Sequence, residues 1–118
     1  KSVGSESTYF DDLETPEAVE RAILEQLDDV WKYVERNDVA GRTLTIKIRY
    51  RDFEQHTRSR STAAPIQSKD EAAQIVLTLA RGAFPLAKPV RLLGVTLSNL
   101  ERPGTVAPMQ QQMSLGLE

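Results

Sequence analysis

The sequence predicts an α+β sandwich with its elements in the order β-α-β-β-α-β, two helices lying on one face of a four-stranded, mostly antiparallel sheet. Three observations predict it. Two segments, "TPEAVERAILEQLDDVWKYV" and "SKDEAAQIVLTLA", carry apolar residues at spacings of three and four behind clear helix-start signals. A third, "RTLTIKIRYR", alternates between polar and apolar residues without a break. The other regular stretches are short, rich in strand-forming residues and bounded by turn residues.

Residues 1–10, "KSVGSESTYF", mix Ser, Thr, Val and aromatics around Gly4 and read as a first strand with one weak point. The helix that follows takes Thr15 as N-cap, Pro16 at its first position and Glu17 in its first turn. Val19, Ile23, Leu27, Val30 and Val34 form its apolar stripe, and Asn37 or Gly41 is expected to end it. In the second strand Leu44, Ile46, Ile48 and Tyr50 face one way, and Thr43, Thr45, Lys47, Arg49 and Arg51 the other. "RDFEQ" turns the chain, and "HTRSRST" returns with His56, Arg58 and Arg60 on one face and Thr57, Ser59 and Ser61 on the other. The second helix opens on a capping box, Ser68 with Glu71, and buries Ala72, Ile75, Val76, Leu79 and Ala80 before closing in the Gly82 to Pro85 region. In the last strand, residues 90–98, Leu93, Val95 and Leu97 share a face and Gly94 points the other way. This is the split βαβ order of ferredoxin-like sandwiches. Two helices cover one sheet face, so Lys47, Arg49 and Arg51 are expected on the open one, joined by Arg58 and Arg60 from the neighbouring strand.

At 118 residues the chain suits one domain, and its opening at Lys1 rather than methionine reads as a piece of something longer. The absence of cysteine excludes disulfides and thiolate metal sites. No apolar run approaches the roughly 18 residues of a membrane span, so no membrane partner is expected. Charge is segregated along the chain. Residues 1–41 hold four Lys/Arg against eleven Asp/Glu, net −7; residues 42–62 hold six against two, net +4; residues 63–118 hold five against four, net +1, giving the overall −2. The basic middle is where an anionic partner would look.

Nothing in the chain predicts catalysis or a metal site. His56 is the only histidine and lies in an arginine-rich strand, which removes Cys-His and His-cluster chemistry. Asp11 and Asp12 are adjacent carboxylates ahead of a helix, a pattern that favours its positive end more often than a cation. Binding is better supported, because guanidinium forks and hydroxyls on one sheet face both donate to phosphate oxygen. Two other readings stay open on these residues. A ferredoxin-like RNA-binding module would need aromatics on the strand faces, where the first strand offers only Tyr9 and Phe10. A protein-interaction domain would pair the arginines with an acidic partner.

"KSVGSEST", "RDFEQHTRSRS" and "RLLGVTLSNL", three matches in order across residues 1–100, together resemble the C-terminal little finger domain of Y-family translesion DNA polymerases, in the bacterial DNA polymerase IV (DinB) branch. The resemblance implies the same βαββαβ fold and a sheet laid in the major groove of primer-template duplex DNA. It implies phosphate contacts through backbone amides and basic side chains at Lys1, Ser2, Val3 and Gly4, at Thr57, Arg58, Ser59 and Arg60, and at Arg91 and Gly94, with Thr96 standing where some relatives carry a basic residue. Lys47, Arg49 and Arg51 join this DNA-binding set from the alternation of their strand. Residues 101–118 read as a linker and tail whose "QMSLGL", Gln112, Met113, Ser114, Leu115, Gly116 and Leu117, is similar to peptides that dock on the bacterial sliding clamp. The family's catalytic carboxylates, and the Mg2+ they hold, belong to a catalytic core outside this sequence. A non-catalytic, DNA-gripping part of a cytoplasmic, nucleoid-associated polymerase is what the resemblance implies.

Overall fold

Six elements follow in the expected order: β1 (Ser2–Leu13), α1 (Pro16–Asn37), β2 (Thr43–Tyr50), β3 (Gln55–Ser61), α2 (Lys69–Arg81) and β4 (Val90–Ser98). They are seen in a computed structural model that describes residues 2–86 and 88–102. The four strands form one sheet in the spatial order β1-β4-β2-β3, and all three pairings are antiparallel. β1 and β2 therefore run parallel with β4 between them, and β3 and β4 run parallel with β2 between them. Each helix bridges one of these split pairs, which puts both helices on the same side of the sheet.

Local chemistry accounts for the helix ends. Thr15 accepts a hydrogen bond from the Ala18 amide at 3.1 Å and Pro16 stands at the first position of α1. Ser68 accepts from the Glu71 amide at 3.1 Å, and Glu71 reaches back to accept from the Gln67 amide at 3.4 Å. α1 stops at Asn37 because Asp38 takes the left-handed conformation, φ 50°, and its amide bonds back to the Val34 carbonyl. Gly41, the other candidate terminator, has a packing role. A Cβ there would lie 2.6 Å from Leu97 Cγ and 2.9 Å from the Ser98 carbonyl oxygen.

The core lies between the helices and one sheet face. Val19, Ile23, Leu27 and Val30 of α1 meet Leu44, Ile46 and Ile48 of β2 and Leu93, Val95 and Leu97 of β4, all essentially inaccessible to solvent. Burying each such aliphatic side chain favours folding by about 1.5–3 kcal/mol. Among the described residues one polar residue is buried as a whole, Gln26 of α1. Its amide oxygen accepts from Ser5 Oγ at 2.5 Å and its nitrogen donates to the Tyr9 hydroxyl at 3.1 Å, so β1 is tied to α1 by hydrogen bonds where its own sequence is too polar to bury.

Candidate nucleic-acid interface

The face of the sheet turned away from the helices can be read in rungs, in the order β1, β4, β2, β3. They are Ser2, Ser98, Thr43, Ser61; then Gly4, Thr96, Thr45, Ser59; then Glu6, Gly94, Lys47, Thr57; then Thr8, Leu92, Arg49, Gln55. Eleven of these sixteen positions are serine, threonine or glycine, and the cations gather toward one end. Such a face is rich in donors to anionic oxygen. Thr43 and Ser61 share a hydrogen bond at 2.7 Å, and Asn99 donates to Thr43 at 2.8 Å.

The expected cations fall into three groups. Lys47 and Arg49 are on the open face as the alternation of β2 requires. Lys47 donates to Glu6 Oε1 at 3.0 Å, whereas Arg49 donates twice to the neutral Gln55, at 2.7 and 3.1 Å. Arg51 and Arg91 are brought together at the far end of the sheet by one carboxylate, Asp12, at 2.6 and 3.4 Å. The side chain of Asp12 is only 6% exposed. The Arg51 hydrogen bond, reinforced by Arg91, holds its carboxyl below the usual carboxylate range against the opposing effect of desolvation. The guanidinium of Arg91 also sits 5.7 Å from the centre of the Phe53 ring.

Arg58 and Arg60 correct the sequence reading. They do not join Lys47 and Arg49, because Arg58 pairs with Ile46 and Arg60 with Leu44, which places both on the helix side of the sheet. They stay exposed, as does the whole of β3 at the edge of the sheet. The Arg58 guanidinium comes close to the end of α2, since a Cβ on Gly82 would lie 2.9 Å from its Nη1. Among the described residues no carboxylate pairs with Arg49, Arg58 or Arg60.

The turn explains the register. Tyr50 and Glu54 close a three-residue loop, with the Tyr50 amide bonded to the Glu54 carbonyl at 2.9 Å and Phe53 at φ 72°. A loop of odd length pairs residues of like parity, so Thr57 and Ser59, not Arg58, stand opposite Lys47 and Thr45. The same register decides the backbone. The Tyr50–Glu54 bond at one end and the Thr62 amide to Arg42 carbonyl bond, 2.8 Å, at the other make Arg58, Arg60 and His56 the residues bonded to β2. The amides of Thr57, Ser59 and Ser61 therefore point outward along the free edge.

The remaining expected residues are placed as follows. Ser2, Gly4, Gly94 and Thr96 lie on the open face, and a Cβ on Gly4 would come within 2.9 Å of Thr96 Oγ1. Val3 turns inward and packs against the core, leaving only its backbone for any ligand. Lys1 and the tail residues Gln112, Met113, Ser114, Leu115, Gly116 and Leu117 lie outside the described residues. Glu6 and Gln55 were not singled out from sequence, and Asp12, expected to favour the positive end of the helix, pairs with Arg51 and Arg91 instead. Alternation from Gly4 would have found Glu6, but Asp12 lies within an irregularity of β1, between Thr8 and Leu13, that breaks the alternation. No group of three or more His, Asp or Glu among the described residues is arranged to hold a metal, and the Asp11–Asp12 pair has Asp12 committed to two arginines. No helix among them is long and apolar enough to cross a membrane.

Comparison with known proteins agrees with this architecture. Residues 1–115 match the impB/mucB/samB family C-terminal domain. DNA polymerase IV of Alkalilimnicola ehrlichii is 41% identical over 116 residues, covering 98% of this chain and 32% of that protein. DNA polymerase IV 2 of Agrobacterium fabrum is 38% identical over 100 residues, covering 85% of this chain and 28% of that protein. The chain thus spans about a third or less of the length of these relatives. Among solved structures, an insertion ternary complex of Dbh DNA polymerase matches with a TM-score of 0.75 at 16% identity, over 86% of this chain and 29% of that one. A complex of β-clamp processivity factor and the little finger domain of PolIV matches with a TM-score of 0.69 at 22% identity, over 99% of this chain and all of that one. Fold, order of elements and sequence agree, and the chain belongs to the impB/mucB/samB family, as its C-terminal domain.

Proposed function

We propose that this domain grips primer-template duplex DNA without regard to sequence, as the non-catalytic little finger of a translesion DNA polymerase whose Mg2+-dependent core lies outside the 118 residues. The observation that carries the reading is the corner where the open face meets the free edge of β3. There the outward amides of Thr57 and Ser59, about 7 Å apart by strand geometry, adjoin Lys47, Arg49 and a field of hydroxyls. Amides, hydroxyls and cations of this kind contact phosphate and carry no information about base identity. Arg58 and Arg60, on the other side of the same edge and with no carboxylate partner among the described residues, reach phosphates that curve past it. Arg51 and Arg91 contribute less, because Asp12 already neutralises part of their charge.

The tail, Gln112 to Leu117, docks on the bacterial sliding clamp in this proposal. What supports it is the resemblance of "QMSLGL" to clamp-docking peptides and the likeness of the fold to a little finger solved with a clamp processivity factor. Tethering at the clamp would raise the local concentration of the polymerase at the primer end.

The test is duplex binding by the 118-residue chain across a salt series. About four to six phosphate contacts give a log–log slope near −0.9 per contact. The slope is expected to shallow in Lys47→Ala/Arg49→Ala and in Arg58→Ala/Arg60→Ala, and to be indifferent to truncation after Pro108, which should instead abolish clamp binding. Duplex binding that survives loss of all four cations would take this face out of the interface, and no duplex binding at low salt would favour a protein partner over DNA.

A further inference from the structure

Glu6 is the one acidic side chain on the four rungs of the open face. It starts from the edge strand β1, yet its carboxylate bonds to Lys47 on β2, two strands away, at 3.0 Å. The strand between contributes Gly94 to that rung, and this is why the crossing is possible: a Cβ there would lie 2.9 Å from Glu6 Cβ. A bare position, a carboxylate laid across it and a cation at its end form a small device on a surface otherwise made of donors.

We propose that Glu6 is a built-in stand-in for a DNA phosphate. It holds Lys47 while the face is empty, and a duplex phosphate must displace it before Lys47 can make a contact. The proposal rests on the reading that the open face binds duplex DNA. The carboxylate and the ammonium resemble the phosphate complex in charge and hydrogen bonding, so the exchange replaces one anion by another. With Glu6 52% and Lys47 35% exposed, the pair is screened and weak, which makes it displaceable rather than locked. A carboxylate in the middle of the gripping surface loosens the hold on DNA at one contact, a property suited to a domain that must let duplex pass beneath it. Gly94 thereby has a role beyond close backbone approach, since any larger residue would close the path by which Glu6 reaches Lys47.

The experiment measures duplex affinity and its salt slope for the whole 118-residue chain, unsubstituted and as Glu6→Gln, Glu25→Gln, Lys47→Ala and Glu6→Gln/Lys47→Ala, with thermal melts to confirm folding. Glu25 is exposed on α1, on the far side of the sheet, and its change alters net charge equally. Glu6→Gln is expected to tighten binding about fivefold near 0.1 M salt and to steepen the slope by about 0.9, one phosphate contact. Glu25→Gln should stay within about twofold, because it lies beyond a screening length of about 10 Å. In the Lys47→Ala background the gain from Glu6→Gln should vanish. A gain no larger than that of Glu25→Gln, or one that persists without Lys47, overturns the proposal while leaving duplex binding intact. Failure of the unsubstituted chain to bind duplex at low salt overturns the reading beneath it as well.

Discussion

At the scale of single residues, charge pairing decides which cations remain available. Arg51 and Arg91 are equivalent to Arg49 in composition, yet Asp12 claims both, while Arg49 leans on an uncharged glutamine. Because the Asp12 carboxyl is held below its ordinary value of 3.8, the folded state binds fewer protons than the unfolded state in that range. Its contribution to stability is therefore complete above about pH 5 and is lost as pH falls through 3.8 toward the depressed folded value. Asp52 and Glu54 act in the same direction, since Lys88 lowers both and His56 adds to the effect on Glu54. Asp12→Asn is expected to lower the melting temperature at pH 7 and to flatten its fall between pH 5 and pH 3. Melts across that range check this, and a variant with the unchanged acid profile would show that Asp12 is not one of the titrating anchors. The choice of partner was illegible in the sequence, because Asp12 stands 39 residues from Arg51 and 79 from Arg91.

At the scale of elements, the β2–β3 hairpin shows how one turn reassigns a surface. The alternation within each strand was readable, and both strands have the faces that alternation predicts. Their relative register was not, because it depends on Phe53 entering the left-handed region and closing a loop of three residues. That turn sends Arg58 and Arg60 to the helix side and leaves the outward amides on Thr57, Ser59 and Ser61. Hydrogen exchange is expected to alternate along β3, with the amides of Arg58 and Arg60 protected by β2 and those of Thr57 and Ser59 exchanging fast. Duplex DNA should slow Thr57 and Ser59 selectively. Equal exchange along the strand, or no response to DNA at Thr57 and Ser59, would remove the free edge from the interface. The ends of α1 differ in the same way: Thr15 and Pro16 announce the start from local chemistry, while the stop after Asn37 is made by Asp38 in the left-handed conformation, and Gly41 packs against Leu97 instead.

At the scale of the whole molecule, the acidic α1 and the cation-bearing sheet lie on opposite sides of one core, so net charge misrepresents what an anion would meet. The domain is expected to be retained on a phosphate-bearing cation exchanger near pH 7.5 in spite of a pI of about 5.5 and a net charge of −2, and to lose retention in Lys47→Ala/Arg49→Ala. Flow-through of the unsubstituted chain would mean that its charges are too mixed to act as a face. The sequence by itself determined the six elements, their order, the apolar stripes and the segregation of acid from base, because periodicity, capping and composition are local properties of the chain. Only the tertiary structure decided that Lys47 is held by Glu6, that Asp12 holds two arginines and that Arg58 and Arg60 leave the open face. Those outcomes depend on register between strands and on contacts across long sequence separations, where a one-residue slip exchanges every side chain on a face.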